Sequence, residues 1–175
     1  MSSNAKYAGI TPLGNATILL KGTNTVTGGD VNYPGVYAAE NATLTIDGTG
    51  SLYAMSNGYG SGIGGGLLIA AGNVVINGGD ITAYGGISTA GIGGGYKRAC
   101  GDITITGGTV SATGGNNAAG IGGGPEGSCG NITISDTVTQ VTATKGTGAS
   151  YSIGAGNGGT CGTVTITDGA NVIRN

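Results

Sequence analysis

Three cysteines, Cys100, Cys129 and Cys161, occupy the same place in a repeat, where they open the segments CGDITI, CGNITI and CGTVTI. Thiolates bind metals, but a tetrahedral site needs converging ligands, which a linear column in a chain without histidine does not supply. A disulfide between adjacent coils fits the spacing of neighbouring strands and would leave one cysteine over. We favour a structural ladder of small buried thiols, since Ala71 holds the matching place one repeat earlier.

The acidic residues do not form the pairs that hydrolases need. They are Asp30, Glu40, Asp47, Asp80, Asp102, Glu126, Asp136 and Asp168. Glycoside hydrolysis uses two carboxylates that flank the bond. The repeat column that starts at Asp47 continues with Asn77, Thr106, Ser135 and Thr167. A nucleophilic triad lacks its usual base because the chain has no histidine. We therefore predict that the protein is not an enzyme and has no catalytic residue.

Tyrosines and a short cationic loop favour a binding function. The candidate ligand-binding residues are Tyr53, Tyr84, Tyr96, Lys97 and Arg98. Tyrosine rings among small residues can stack on sugar rings or fill an interface. The last three candidates are consecutive and place two cations beside Glu126 of the next repeat. We predict that the partner is a polysaccharide or host glycan, which includes acidic sugars; the alternative is that the tyrosines are scattered only for solubility.

Calcium and ice are alternative ligands of the same outer surface. Calcium-binding solenoids place an aspartate after a glycine run, and no GIGGG segment here is followed by one. Carbonyl-rich turns beside Asp80 or Asp102 keep calcium open as a cofactor, and no other cofactor is expected. Ice binding needs a flat, regular threonine array. The corresponding row, Thr45, Val75, Thr104, Thr133 and Thr165, is interrupted, as is typical of an ordinary solvated strand.

The elements that position these residues follow from a second repeated marker. GIGGG begins at Gly62, Gly91 and Gly120, in two steps of 29 residues, and a degenerate SIGAG begins at Ser152. Units that recur every 20 to 50 residues or so bury their apolar faces only against their neighbours. We predict one solenoid domain over residues 17–175, preceded by an N-terminal cap segment, residues 1–16.

Alternating branched side chains predict the strands of each coil. The first strand aligns as residues 17–20, 43–46, 73–76, 102–105, 131–134 and 163–166, with its second and fourth positions inward. A second strand carries one large aliphatic residue and one alanine inward. The third strand has a single inward anchor, which is Val36, Ile63, Ile92, Ile121 or Ile153. This pattern predicts an all-β, right-handed parallel β-helix with three short strands per coil and about five to six coils.

Composition excludes several classes of protein and partner. The chain has 42 glycines, no tryptophan, phenylalanine or histidine, and only 8% charged residues, so it lacks the large side chains of a globular core. The fixed spacing of isoleucine and valine argues against disorder. A net charge of -2 does not attract nucleic acid. No stretch approaches 18 apolar residues, so membrane insertion is not expected.

The last residues support a second hypothesis about function. Residues 172–175, Val-Ile-Arg-Asn, would leave an open strand edge, and such edges pair readily with other chains. The alternative to glycan binding is a structural stalk or self-assembling fibre unit that stacks end to end. Stacking predicts association without a ligand, whereas a binding module predicts sugar binding that falls in Tyr96→Ala.

The repeat also resembles a known group of proteins. The alternation of AGIGGG, GGTVSATGG and CGNITI, at residues 90–95, 107–115 and 129–134, is similar to repeats of large surface proteins from anaerobic gut bacteria. That group includes β-helical modules labelled carbohydrate-binding, and the likeness covers about residues 16 to 170. It implies an extracellular, non-catalytic, adhesin-like module at a bacterial cell surface. No signal-peptide pattern opens the chain, so the protein is either cytosolic or an excised piece. Its richness in threonine, asparagine, serine and glycine is more typical of exported surface proteins and favours a domain excised from a secreted parent.

Overall fold

The computed structural model describes residues 7–175, so residues 1–6 of the predicted cap segment lie outside the described part. The chain winds as a β-solenoid, and the strands of successive coils pair in parallel. The predicted all-β parallel β-helix with three strands per coil is confirmed. Within residues 7–175, no helix has the length and apolar character needed to cross a membrane.

Three sheets run along the solenoid, and each takes one strand from successive coils. The first sheet consists of β1 (Ala16–Leu20), β4 (Thr43–Gly48), β7 (Asn73–Ile76), β10 (Ile103–Ile105), β14 (Ile132–Ile134) and β18 (Val164–Ile166). The second sheet consists of β2 (Thr23–Thr27), β5 (Ser51–Met55), β8 (Asp80–Tyr84), β11 (Thr109–Thr113), β15 (Gln140–Thr144) and β19 (Val172–Arg174). The third sheet consists of β3 (Val36–Tyr37), β6 (Ile63–Gly64), β9 (Ile92–Gly93), β12 (Ile121–Gly122) and β16 (Ile153–Gly154).

Coils are numbered here by the strands they contain. Coil 1 is β1 to β3, coil 2 is β4 to β6, coil 3 is β7 to β9 and coil 4 is β10 to β12. Coil 5 begins with the short strand β13 (Ser128–Cys129) and ends with β16, and coil 6 begins with β17 (Thr160–Cys161). Coil 6 contributes β18 and β19 to the first and second sheets but no strand to the third sheet.

Side-chain columns fill the interior of the solenoid. Within coils 2 to 5, the first sheet contributes Leu44, Val74, Ile103 and Ile132, followed by Ile46, Ile76, Ile105 and Ile134, each at most 1% exposed. The second sheet contributes Leu52, Ile81, Val110 and Val141, beside a column of alanines. Burying one such aliphatic side chain contributes about 1.5–3 kcal/mol. These columns are the hydrophobic core that single coils cannot form alone.

The register of the first strand differs from the sequence alignment by two residues. The alignment placed Ile18 beside Leu44, whereas in the structure Ile18 pairs with Ile46 and Ala16 pairs with Leu44. A shift of two preserves the inward face, because side chains alternate with a period of two along a strand. Leu20 therefore still faces the core and is 3% exposed. It lies opposite Gly48, at the corner where the strand of the next coil ends.

A column of glycines explains one position of the GIGGG marker. The residue after each third-strand isoleucine has a positive φ, with 128° at both Gly93 and Gly122. A Cβ atom on Gly93 would collide with the carbonyl oxygen of Gly122 in the next coil. Glycine is the residue that adopts this backbone conformation without a steric penalty. Glycine at this position of the marker is thus required by the backbone of the third sheet.

A ladder of polar side chains, not predicted from the sequence, precedes the first sheet. The Asn73 Oδ1 atom accepts a hydrogen bond from the Asp102 backbone N–H at 2.8 Å, and Asp102 Oδ1 accepts from Asn131 N–H at 2.7 Å. Asn131 Oδ1 accepts in turn from Thr163 N–H at 2.9 Å. These bonds tie each coil to the next and occupy one oxygen of the Asp102 carboxylate.

The first coil is closed by a polar residue on an inward position. Asn24 pairs with Leu52, so it lies in the column that is aliphatic in later coils. Its amide Nδ2 donates to the carbonyl oxygens of Ser51 at 3.0 Å and Lys21 at 3.2 Å. Before this coil, Ile10 forms a parallel bridge with Val36 of the third sheet. The half-buried amide is thus hydrogen-bonded where the aliphatic column ends.

Candidate binding site

The structure divides the sequence-predicted site residues into two groups, and the first is a tyrosine pair on the second sheet. Tyr53 of β5 and Tyr84 of β8 have ring centroids 5.5 Å apart and ring planes tilted by 45°. They are diagonal neighbours, because Tyr53 pairs with Thr82 and Tyr84 pairs with Met55. Tyr53 is 39% exposed and Tyr84 41% exposed. The pair is an aromatic surface that is open to solvent.

The second group is the corner loop that follows β9. The Tyr96 hydroxyl donates to Glu126 Oε1 at 3.3 Å, and the Lys97 Nζ atom lies 3.3 Å from Glu126 Oε2. The same Nζ atom lies 5.0 Å from the centroid of the Tyr96 ring. The Tyr96 side chain, and after it the Glu126 carboxylate, raises the pKa of Lys97. The charge of Lys97 is therefore matched within the loop.

The backbone of this corner is in the left-handed region where L-residues are disfavoured. Lys97 and Glu126 both have a φ of 55°, and Leu68 has 56° at the same place in coil 2. Coil 5 has a glycine there, Gly158, with a φ of 68°. A non-glycine residue costs about 1–2 kcal/mol in this conformation. Such strain is commonly found where a side chain is needed for function.

Tyr96 also lines a cavity that the sequence did not indicate. The cavity has a volume of about 180 Å³, and its walls are Tyr59, Leu67, Ser88 and Tyr96. Tyr59 and Ser88 are three residues before the GIGGG of their coils, and Leu67 and Tyr96 come directly after it. Two coils thus contribute two side chains each, with the tyrosines at diagonal corners. A comparison of the positions flanking each GIGGG would have found this group.

Buried hydroxyl groups hold the loops that form this cavity. Among the described residues, the buried polar side chains are Ser56, Ser61 and Thr89. Ser61 Oγ donates to the Gly65 carbonyl oxygen at 2.7 Å, which ties the loop before β6 to the loop after it. Thr89 Oγ1 donates to the Gly60 carbonyl oxygen at 2.7 Å, and Ser56 Oγ accepts from the Gly60 N–H at 2.9 Å. Two bonds within coil 2 and one bond from coil 3 to coil 2 therefore hold the cavity walls in place.

Two open grooves adjoin these groups. One, of about 370 Å³, is lined by Asn57, Ile87, Asn116 and neighbouring glycines. Its walls come from the loops that follow β5, β8 and β11, so it adjoins the ends of the strands that carry Tyr53 and Tyr84. The other, of about 280 Å³, is lined by Lys97, Arg98, Glu126 and residues of coils 5 and 6. Arg98 forms no ion pair within residues 7–175, which leaves its guanidinium available to a ligand.

The cysteine column differs from the interpretation that the sequence favoured. Cys129 and Cys161 are joined in a disulfide, with Cα atoms 4.4 Å apart, rather than being free buried thiols. Cys100 does remain a buried thiol, and burial raises its pKa to about 12. In the described residues no group of three or more histidine, cysteine, aspartate or glutamate side chains could hold a metal ion.

Comparison with known proteins identifies the repeat. A family model described as Beta helix repeat matches residues 44–67, 74–96 and 103–125. Each matched segment is one coil, which begins at the first inward residue of the first sheet and ends just after GIGGG. No curated protein and no solved structure matches the chain. The three matches and the observed coils agree that the chain folds as a β-helix of repeated coils.

Proposed function

We propose that this protein is a non-catalytic, extracellular surface module that binds glycans with the outer faces of coils 2 and 3. The observation that carries the proposal is the cavity walled by Tyr59, Leu67, Ser88 and Tyr96. A sugar ring has C–H groups on its faces and hydroxyl groups on its edge. Aromatic and aliphatic walls complement the faces, and the tyrosine and serine hydroxyls can bond to the edge.

The adjoining surface supports a polymer in preference to a single sugar. The ring centroids of Tyr53 and Tyr84 are 5.5 Å apart, similar to the spacing of neighbouring rings in an extended polysaccharide. Along the chain, the groove residues Asn57 and Ile87 come after this pair and before the cavity residues Tyr59 and Ser88. A polysaccharide chain could therefore contact both the Tyr53–Tyr84 pair and the tyrosines of the cavity. Arg98, at the far side of Tyr96, can bond to an acidic substituent.

Two properties of the chain support the non-catalytic and extracellular parts of the proposal. Asp47 of β4 pairs with Leu19, and Asp80 of β8 pairs with Ser51 and Thr109, so neither strand aspartate has the acidic neighbour that a glycoside hydrolase uses. The disulfide between Cys129 and Cys161 favours an oxidising compartment, because such bonds persist outside the cytosol. A role in adhesion at a bacterial surface is consistent with the resemblance of these repeats to those of surface proteins from anaerobic gut bacteria.

The proposal is tested on an array that carries neutral oligosaccharides and their acidic counterparts in matched pairs. The best ligand is then titrated by calorimetry into the wild type and into Tyr59→Ala and Tyr96→Ala. We expect each variant to bind up to about tenfold more weakly, because loss of a stacked ring costs about 0.5–1.5 kcal/mol. Tyr7→Ala, which removes a ring 64% exposed outside coils 2 and 3, is the matched control. An array without a ligand, or equal loss in the control, would contradict the proposal.

A second candidate function is end-to-end assembly with further copies of the chain. It is favoured by coil 6, where Val164 of β18 is 39% exposed and Ile173 of β19 is 42% exposed. Within residues 7–175, β18 and β19 are the edge strands at one end of their sheets, and β1 and β2 are the edge strands at the other. Head-to-tail contacts of this kind generate filaments. Light scattering after size exclusion should then show concentration-dependent oligomers that Ile173→Lys abolishes. A monomer at every concentration would exclude this candidate.

A further inference from the structure

The three cysteines form a continuous column across coils 4 to 6. Cys100 is the direct parallel partner of Cys129, and Cys129 is the direct partner of Cys161. The backbone repeats in the same way, since the Gly130 N–H donates to the Cys100 carbonyl oxygen at 3.1 Å and the Gly162 N–H donates to that of Cys129 at 3.0 Å. Neighbouring strands lie about 4.8 Å apart, within the Cα separation that a disulfide spans. Cys129 thus has a cysteine on each side.

The buried members of the column point toward equivalent places. The Cys100 Sγ atom lies 3.6 Å from the Gly122 carbonyl oxygen, and the Cys129 Sγ atom lies 3.8 Å from that of Gly154. Gly122 and Gly154 are themselves partners in the third sheet. The sulfur atoms of Cys100 and Cys129 therefore occupy the same position one coil apart. A bond between them requires no change of strand register.

We propose that Cys161 is a latent thiol site, which becomes free when Cys100 replaces it as the disulfide partner of Cys129. In this step the Cys100 thiolate attacks the Cys129 sulfur, a new S–S bond forms, and the bond to Cys161 breaks. Cys161 leaves as a thiolate and takes up one proton, which balances the proton that Cys100 released. The exchange needs no oxidant or reductant. Cys100 approaches from the side opposite Cys161, as in-line displacement requires.

The exchange moves the free thiol from the interior to the end of the solenoid. Cys100 is 5% exposed and Cys129 is 7% exposed, whereas Cys161 is half-buried in coil 6. Cys161 lines an open cavity of about 200 Å³ with Tyr151 and Val164. Small disulfides and alkylating agents could reach a thiol there, and a small disulfide would attach covalently through a mixed disulfide. Coil 6 would at the same time lose its disulfide cross-link to coil 5.

Burial of Cys100 keeps this site closed at neutral pH. Because burial raises the pKa of its thiol to about 12, the reactive thiolate is scarce until the solution is alkaline. At every pH below this pKa, we expect the rate of exchange to increase about tenfold when the pH rises by one unit, because the fraction of Cys100 present as thiolate increases by the same factor. This site is independent of the proposed glycan binding, because it lies in coils 4 to 6.

The test is alkylation of the folded protein with iodoacetamide at neutral and at alkaline pH, followed by disulfide mapping by mass spectrometry. We expect alkylated Cys161 together with a disulfide between Cys100 and Cys129, formed faster at the higher pH. Cys100→Ala is the control, because Ala71 occupies the matching place in coil 3. Cys161 should stay unlabelled in that variant. Labelling of Cys100 alone, no labelling, or equal labelling of Cys161 in the control would overturn the proposal.

A second variant tests the geometry without requiring exchange. In Cys161→Ser, the remaining Cys100 and Cys129 should form a disulfide when the folded protein is exposed to oxidised glutathione. Thiol counting before and after denaturation would then find no free thiol. Two free thiols in the folded and oxidised protein would show that the neighbouring pair cannot bridge, and would overturn the proposal.

Discussion

Coils 2 and 3 share their interior with coils 4 and 5 but differ from them on the surface. The inward column Leu52, Ile81, Val110, Val141 continues through all four coils without a change of chemical type. On the outer face of the same strands, Tyr53 and Tyr84 are replaced by Ser111 and Thr113 in coil 4. The comparison indicates that the interior specifies the solenoid while the exterior of individual coils is free to acquire a binding role.

The buried hydroxyl groups show the same division. Ser61 and Thr89 hold the loops of the tyrosine cavity, whereas coil 4 has Ala119 and Ala118 at the corresponding places. Coil 4 forms the same corner with alanines, so the hydroxyls are not needed for the turn itself. They are found where a cavity with a defined shape lies above the turn. This difference supports a specific role for coils 2 and 3.

The largest effect is expected where the two regions are alike. Ile76→Ala in coil 3 and Ile134→Ala in coil 5 each remove a fully buried side chain from the same column. Each should lower the free energy of unfolding by about 2–5 kcal/mol, because a cavity remains in a close-packed core. Urea unfolding followed by circular dichroism measures both values. If the free energy of unfolding fell less than half as much in one variant as in the other, the interior would not be equivalent in the two regions.

Reduction of the disulfide should destabilise coils 5 and 6 and leave coils 2 and 3 unchanged. The bond closes a loop across 32 residues, and its loss should cost about 2–4 kcal/mol of stability in coils 5 and 6. Hydrogen exchange with and without reductant measures this change coil by coil. Amide protection in coils 2 and 3 should stay constant, because stability in a solenoid depends mainly on nearest neighbours. Equal loss of protection along the whole chain would contradict this.

Substitutions on the outer surface should lower the glycan affinity in coils 2 and 3 but not in coil 4, and should leave the stability of all three coils nearly unchanged. Tyr53→Ala and Tyr84→Ala should each weaken glycan binding by up to about tenfold, because each removes one ring of the aromatic pair. Ser111→Ala and Thr113→Ala, at the matching places of coil 4, should leave the affinity unchanged. Calorimetric titration with the same oligosaccharide compares the four. An equal loss in the coil 4 variants would place the binding surface elsewhere.

The buried hydroxyl of Thr89 should stabilise its loop. Thr89→Ala leaves the Gly60 carbonyl oxygen without this donor, which should cost about 1 kcal/mol. Thr142→Ala, a half-buried threonine on the outer face of β15, is the control and should cost less. Urea unfolding gives the stability and titration gives the affinity. A loss of stability without weaker binding would mean that the hydroxyl supports the turn alone.

The smallest effect concerns the left-handed corner residues. Leu68→Gly should stabilise coil 2 by about 1 kcal/mol, because glycine adopts the positive φ without strain. Gly158→Leu should destabilise coil 5 by a similar amount, although space for a Cβ exists there. Paired thermal unfolding scans measure both. A destabilised Leu68→Gly would show that contacts of the leucine side chain outweigh the strain.

Much of the fold was predictable, and about half of the candidate site. Alternation identified nearly every inward residue, since burial of aliphatic side chains determines which face of a strand turns inside. Tyr53, Tyr84 and Tyr96 stood out as large side chains on a surface of small ones. Tyr59 and Ser88 did not, because their role depends on a neighbour in another coil. The two-residue shift at Ile18 was missed because such a shift leaves the inward face unchanged.

The repeat period and the aliphatic alternation specified the solenoid and its interior columns, because repeated coils of this kind bury their apolar faces when parallel strands stack. Which outward residues meet was settled by tertiary contacts. The pairing of Tyr59 with Tyr96 depends on the conformations of two loops, and the choice of Cys161 over Cys100 as the partner of Cys129 depends on positions one coil apart. Local sequence does not encode either choice, since contacts between coils form only after the coils stack.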